Sequence, residues 1–168
     1  MKVFIWIAFL VISVAMWVQL QALKPSGYTI IDFELASKKE GLLILKQWLT
    51  GNSGSLSLLS IARNNTQWDV LFILIYATLF ITLSNWQMQR EKWIPLNEAL
   101  RLNLLLTFLA ALLDIFENIG MLHNFNHVGD AAGYWNTHWF ALIKFIFLGI
   151  ALLIFMVSFL KSKVLSLR

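Results

Sequence analysis

Two carboxylates and a carboxamide interrupt a run of residues otherwise suited to lipid. They are Asp114, Glu117 and Asn118 in LLDIFENIGML, residues 112–122. Spacings of i, i+3 and i+4 put the three on one face of a helix, with Met121 continuing it. Lys144 stands inside a second apolar run, in LIKF. Asp69, in the pair WD, opens a third, and Tyr76 lies two turns further along the same face. Carboxylates and a lysine in apolar surroundings suit proton transfer or recognition of a charged head group.

A charge facing lipid costs about 2.5–3.5 kcal/mol even on a lenient scale, so these groups are expected to face a shared interior and one another. Asp114, Glu117 and Lys144 are the candidates for acid–base work. The candidate ligand-binding set is Asp69, Tyr76, Asp114, Glu117, Asn118 and Lys144. One lysine does not balance two or three carboxylates, so a proton, a cation, a ligand or a histidine must supply the missing charge. The plainer alternative is an ion-pair knot that only ties helices together.

His123, His127 and His138, with Asp130 nearby, are a weaker candidate set for zinc with an open coordination position. The stretch HNFNHVGD reads as a helix break, which would spoil the four-residue spacing of His123 and His127 and leave solvated loop histidines. There is no HExxH, and with no cysteine there is no thiolate site, disulfide or cysteine nucleophile. Serines and threonines in the apolar runs (Ser13, Thr78, Thr82, Ser84, Thr107) lack the GxSxG setting and are expected to bond the preceding turn or a neighbouring helix. No cofactor is expected.

The elements that hold these residues follow from composition. The 168 residues are 59% hydrophobic and 13% charged, against roughly 25% charged in a soluble domain. About 20 apolar residues cross the hydrocarbon, and four segments qualify: 3–20, 70–86, 100–121 and 139–160. The expected fold is an all-α integral membrane protein: a four-transmembrane-helix bundle, one domain over 1–168, with an outer amphipathic helix and extended segment between the first two spans. The first span follows Lys2 like a signal peptide, yet lacks the small residues a cleavage site needs near Ala22. It is expected to stay as a helix.

Arg90, Lys92 and Arg101 in the second loop, and Lys161, Lys163 and Arg168 in the tail, set the orientation, because the loop after the third span has no lysine or arginine. Both termini are then cytoplasmic, and 21–67 and 122–138 lie outside. Asp114 is 13 residues beyond Arg101, about 20 Å along the axis, so the polar residues of three spans meet in the outer third of the membrane. Trp68, Trp93, Trp135 and Trp139 read as an interfacial belt. The net charge of +4 is spread over loops and a tail, and does not indicate nucleic acid.

Within the outer segment, SKKE at 37–40 is a capping box opening a surface helix over 38–49, with Leu42, Leu45, Trp48 and Leu49 on one side. IIDFEL, residues 30–35, alternates apolar and acidic residues and is expected to lie extended across the bundle mouth. GNSGSLSLLS, residues 51–60, reads as a loop.

This layout resembles the four-helix sigma-2-receptor and sterol-isomerase (EXPERA-like) superfamily, in plan and over the whole chain. The resemblance implies acidic groups in an intramembrane cavity. FELA, WD, DIFEN and LIKF also look like elements of small bacterial membrane proteins, implying a bacterial inner membrane. Two functions follow as expectations. One is a polar pocket on the outer-leaflet side that binds, or acts on, a membrane lipid or amphipathic small molecule. The other is an accessory subunit of a larger membrane complex, docking a protein partner or a second copy. An ion-coupled transporter would need an oligomer, since four helices show no inverted repeat or broken helix.

Overall fold

A computed structural model describes residues 2–166, with side chains from 4 to 162; Arg168, counted above with the basic tail, lies outside the described residues. The elements are α1 (Lys2–Leu23), a 3-10 turn (Lys24–Ser26), α2 (Ile30–Glu34), α3 (Lys38–Thr50), a two-stranded hairpin of β1 (Asn52–Ser53) and β2 (Leu56–Ser57), α4 (Leu58–Met88), α5 (Ile94–Asn126) and α6 (His138–Ser166). α1, α4, α5 and α6 are long and apolar enough to cross a membrane.

They pack in chain order. α1 lies on α4, α4 on α5 and α5 on α6, while α4 meets α6 lightly and α1 and α6 are not a packed pair. The result is an open row with a gap between its outer members. α1 buries little apart from Ile12 and Leu23, and Phe4, Leu10, Val11, Val14 and Trp17 stay more than half exposed. A helix apolar all round and uncovered by protein is what a lipid environment requires.

α4 and α5 have 31 and 33 residues, about 46 and 50 Å at about 1.5 Å per residue. About 30 Å covers a hydrocarbon core, so both are longer than a span needs, and the excess builds a cap. In this cap, Phe33 stacks on Phe125 and meets Trp48 at 5.3 Å between ring centroids, and Tyr134 closes the cluster edge-on. Leu23, Leu45, Leu58 and Ala62 fill the rest, all nearly or fully buried. Trp48 Nε1 donates to Ser26 Oγ at 3.0 Å, and Arg63 donates to the Phe125 carbonyl at 2.9 Å, joining α4 to the end of α5.

Several boundaries differ from the sequence expectations. α4 begins at Leu58, not at 70, because its first three turns bury Leu58, Ile61, Ala62, Asn65 and Thr66 in the cap. The Gly/Ser stretch is in part a hairpin, with Gly54 at φ +62° in its turn. α5 runs through HNFN to Asn126. Asn124 does not break it, because its amide donates to the Trp135 carbonyl and accepts from the Trp135 N–H, both at 2.8 Å.

α3 opens with the Ser37–Glu40 capping box, but buries Gly41, Ile44, Leu45 and Trp48 rather than the 42/45/48/49 face, and Leu49 is exposed. The reason is Gly41: it faces the Tyr134 ring, which occupies the space a β-carbon would need.

Candidate functional site

The 30–35 segment is not extended. Thr29 accepts from the Asp32 N–H and Asp32 takes the Thr29 N–H, a second capping box that starts the short helix α2. On a helix Phe33 and Glu34 turn inward together. Phe33 enters the cap core, and Glu34 descends onto the bundle and is 7% exposed. Sequence reasoning missed Glu34 as a site residue because a two-residue period was read into IIDFEL. The signal for a helix was present in T-x-x-D at 29–32.

Below Glu34 the three long helices bring their polar residues to one level. α5 presents Asp114, Glu117 and Asn118 on its inner face, all buried. Tyr76 of α4 donates to Asp114 Oδ2 at 2.9 Å, and Asn118 donates to Asp69 Oδ2 at 2.8 Å. Lys144 of α6 is the hub. Its ammonium lies 2.6 Å from Asp114 Oδ1, 2.9 Å from Glu117 Oε2 and 3.3 Å from Glu34 Oε2. All three of its carboxylate partners and Lys144 itself are buried. The ammonium donates hydrogen bonds to Asp114 Oδ1 at 2.6 Å and Glu117 Oε1 at 3.0 Å, and Glu34 completes the ion-pair set.

The six residues of the predicted set therefore assemble, but not with equal roles. A cavity of about 570 Å³ runs down the open side of the row, and Asp69, Tyr76, Asp114, Asn118 and Lys144 line it with Glu34. Glu117 is fully buried behind Lys144, does not line the cavity, and holds the lysine in place. Away from the cap the cavity wall turns apolar, with Phe9 of α1, Phe72 and Phe80 of α4, and Phe145, Leu148 and Leu152 of α6. The size falls in the range of small-molecule sites, about 300–1,000 Å³. α1 forms one wall and α6 the other, so the cavity lies at the gap in the row.

Four carboxylates (Glu34, Asp69, Asp114, Glu117) surround one lysine. With all of them ionised the cluster would hold three uncompensated negative charges, which apolar walls do not tolerate. Protons or a bound cationic group must make up the difference. For Glu34, in the cap, burial pushes the carboxyl above the ordinary carboxylate range, and the nearby Lys144 ammonium opposes the rise. The arrangement can hold a charged or hydrogen-bonding head group against Asp114, Asp69 and Lys144.

The three histidines are placed apart from a common point. Among the described residues no three histidine or acidic side chains are grouped to hold a metal ion. His123 and His127 lie on one helix face after all, with rings stacked at 4.3 Å. His127 Nδ1 lies 2.9 Å from its own helix carbonyl at His123, and Asp130 accepts the Ala132 and Gly133 N–H groups of the connector. His138 Nδ1 sits 2.7 Å from the Leu35 carbonyl, pinning the α2–α3 junction to the start of α6 next to Glu34.

No family model, no curated protein and no solved structure matches this chain.

Proposed function

We propose that this chain is an integral membrane protein whose cavity receives a membrane lipid or another amphipathic small molecule. The head group lies at the cap and the apolar part between α1 and α6. One observation carries the reading: a single cavity is charged at its cap end, apolar along its length, and sited where two outer helices fail to pack. An amphiphile matches that gradient, and an entrance between helices suits a ligand arriving from the bilayer. Asp69 and Asp114 would meet a cationic or hydroxyl group of the head, while Lys144 and Tyr76 hold Asp114 in place. Asp114 is the carboxylate an acid–base step on a bound molecule would use. The basic loop residues favour a cytoplasmic face at the α4–α5 turn and an outer face at the cap.

The test is native mass spectrometry with lipid identification on full-length protein extracted gently from its own membranes. A defined co-purifying molecule should be present, and should be lost in Asp114→Asn. It should also be lost in Gly149→Leu, which fills the cavity at a position where a β-carbon meets nothing within 4 Å. A bare chain, or the same lipids on wild type and both variants, overturns the reading. A fixed protein partner with no lipid would replace it with the assembly-subunit function.

A further inference from the structure

The side of the bundle away from the cap holds polar groups that the binding site does not use. Ser84 and Gln87 of α4, and Asn103 and Thr107 of α5, are all 0% exposed. Each keeps an oxygen with no protein hydrogen-bond partner: Ser84 Oγ, Gln87 Oε1, Asn103 Oδ1 and Thr107 Oγ1. Buried polar atoms are nearly always satisfied, by protein or by ordered water. Serine and threonine in apolar helices ordinarily bond their own backbone, as Thr78 does with the Leu74 carbonyl at 2.7 Å. Ser84 and Thr107 do not.

These four side chains are not scattered. Asn103 and Thr107 are one turn apart on α5, and Ser84 and Gln87 are three apart on α4, so each pair shares a helix face. Two bonds fix their level against α6: Asn103 donates to the Ala151 carbonyl at 2.8 Å, and Gln87 donates to Ser158 Oγ at 3.0 Å. Ala151 and Ser158 are two turns apart. The set therefore forms a line along the α4–α5–α6 seam.

Both ends of the line lead somewhere. At the upper end the cavity reaches down to Phe80, one turn from Ser84, and to Leu152, next to Ala151. Thr107 is two turns from Asp114, with only the small Ala110 and Ala111 between them on that face, Ala110 fully buried. At the lower end Ser158 donates to Glu91 at 3.1 Å, and Glu91 accepts from half-buried Lys161 at 2.7 Å at the edge of the bundle.

We propose that the seam holds a file of water molecules and conducts protons between the Glu91–Lys161 edge and Asp114. Each water accepts one hydrogen bond and donates one, so a proton entering at Glu91 displaces a proton onto Asp114. From there it leaves through the cavity, past Asp69 at its rim. One proton moves down its gradient for each proton that enters, and nothing is oxidised or reduced. Of the ligand-binding reading, this inference uses only the crossing of a membrane by the four helices.

The test uses full-length protein in phosphatidylcholine–phosphatidylglycerol vesicles loaded with a pH-sensitive dye. A potassium gradient and valinomycin supply the driving voltage. Internal pH should change several times faster than in protein-free vesicles. Thr107→Val should bring the rate back to that of protein-free vesicles, whereas Thr78→Val, which removes an exposed hydroxyl outside the seam, should keep it. Ser84→Ala, which deletes one hydroxyl, is measured alongside and should also slow the change, so that the test stands if Thr107→Val fails to fold. A wild-type rate equal to that of protein-free vesicles overturns the proposal. So does a wild-type rate retained by folded Thr107→Val or by Ser84→Ala. Lipid binding is read separately by mass spectrometry, so either reading can fail alone.

Discussion

Replacing Lys144 by methionine is the sharpest perturbation of the cluster, because it keeps the length of the side chain and removes only the charge. The ammonium contacts three carboxylates at 2.6, 2.9 and 3.3 Å. At an effective dielectric of about 20, each contact contributes a gross attraction of about 5–6 kcal/mol. Desolvation of the lysine and mutual repulsion of the carboxylates offset most of that. The loss on breaking a buried ion pair from one side is about 3–5 kcal/mol, and for a chain of this length it corresponds to roughly 6–20 °C in Tm.

The eight tryptophans report unfolding without a label, which suits a chain with no cysteine for a thiol dye. The sign with pH follows from Glu34. Its carboxyl is held above the ordinary range by burial, so the stability it contributes is complete at low pH and is lost as pH rises through the folded pKa. Without the lysine the repulsion grows, so the deficit of Lys144→Met should be largest at neutral pH and shrink on acidification. A Tm within about 2 °C of wild type at neutral pH, about 0.5–1 kcal/mol for this length, refutes the argument. So does a deficit that acid leaves unchanged.

Other outcomes are expected. Glu34→Gln should flatten the pH dependence of α2 docking, read as hydrogen exchange of amides 30–36 at two pH values; wild type should protect them better at the lower pH. Ser37→Ala should cost about 1 kcal/mol and raise exchange in the first turn of α3. Gly41→Ala should cost about 1–3 kcal/mol by overpacking against Tyr134, and Tyr134→Phe should recover part of it, because the hydroxyl is the nearest obstruction. Recovery is read as non-additivity of the two Tm changes.

The extent to which the architecture could be read in advance depended on what each stretch packs against. The four apolar helices were legible because each run carries one plain signal, apolar character over a length that could cross a membrane. The polar residues of three helices were legible for the converse reason: Asp69, Asp114 and Lys144 have nowhere favourable to go except toward one another. The cap was harder. Residues 58–69 have a polar face of Arg63, Asn64 and Gln67 beside a buried face, so hydropathy alone hides their helix. In α3, leucines at 42, 43, 45 and 49 together with Ile44 surround most of the circumference, and the buried side was decided by a contact with Tyr134 some 90 residues away in sequence. Glu34 was hidden by a short alternation that fits a strand as well as a turn of helix, and only the Thr29–Asp32 pair distinguishes the two. In His123–Asn126, Asn124, which would usually help end a helix, bonds the connector instead.

The unequal anchorage of α1 has a mechanical consequence. Its last residue, Leu23, is locked in the cap core, and Ile12 is its other deeply buried position, while the residues before Ile12 lie largely exposed. At about 1.5 Å per residue the helix is a rod of about 33 Å. Pivoting it by about 10° at Leu23 would sweep its free end by about 6 Å, more than the diameter of an acyl chain, yet would hardly disturb the aromatic cluster that holds the pivot. Such a pivot would turn a small adjustment at the cap into a large one deep in the row, and would change the width of the slot beside α6.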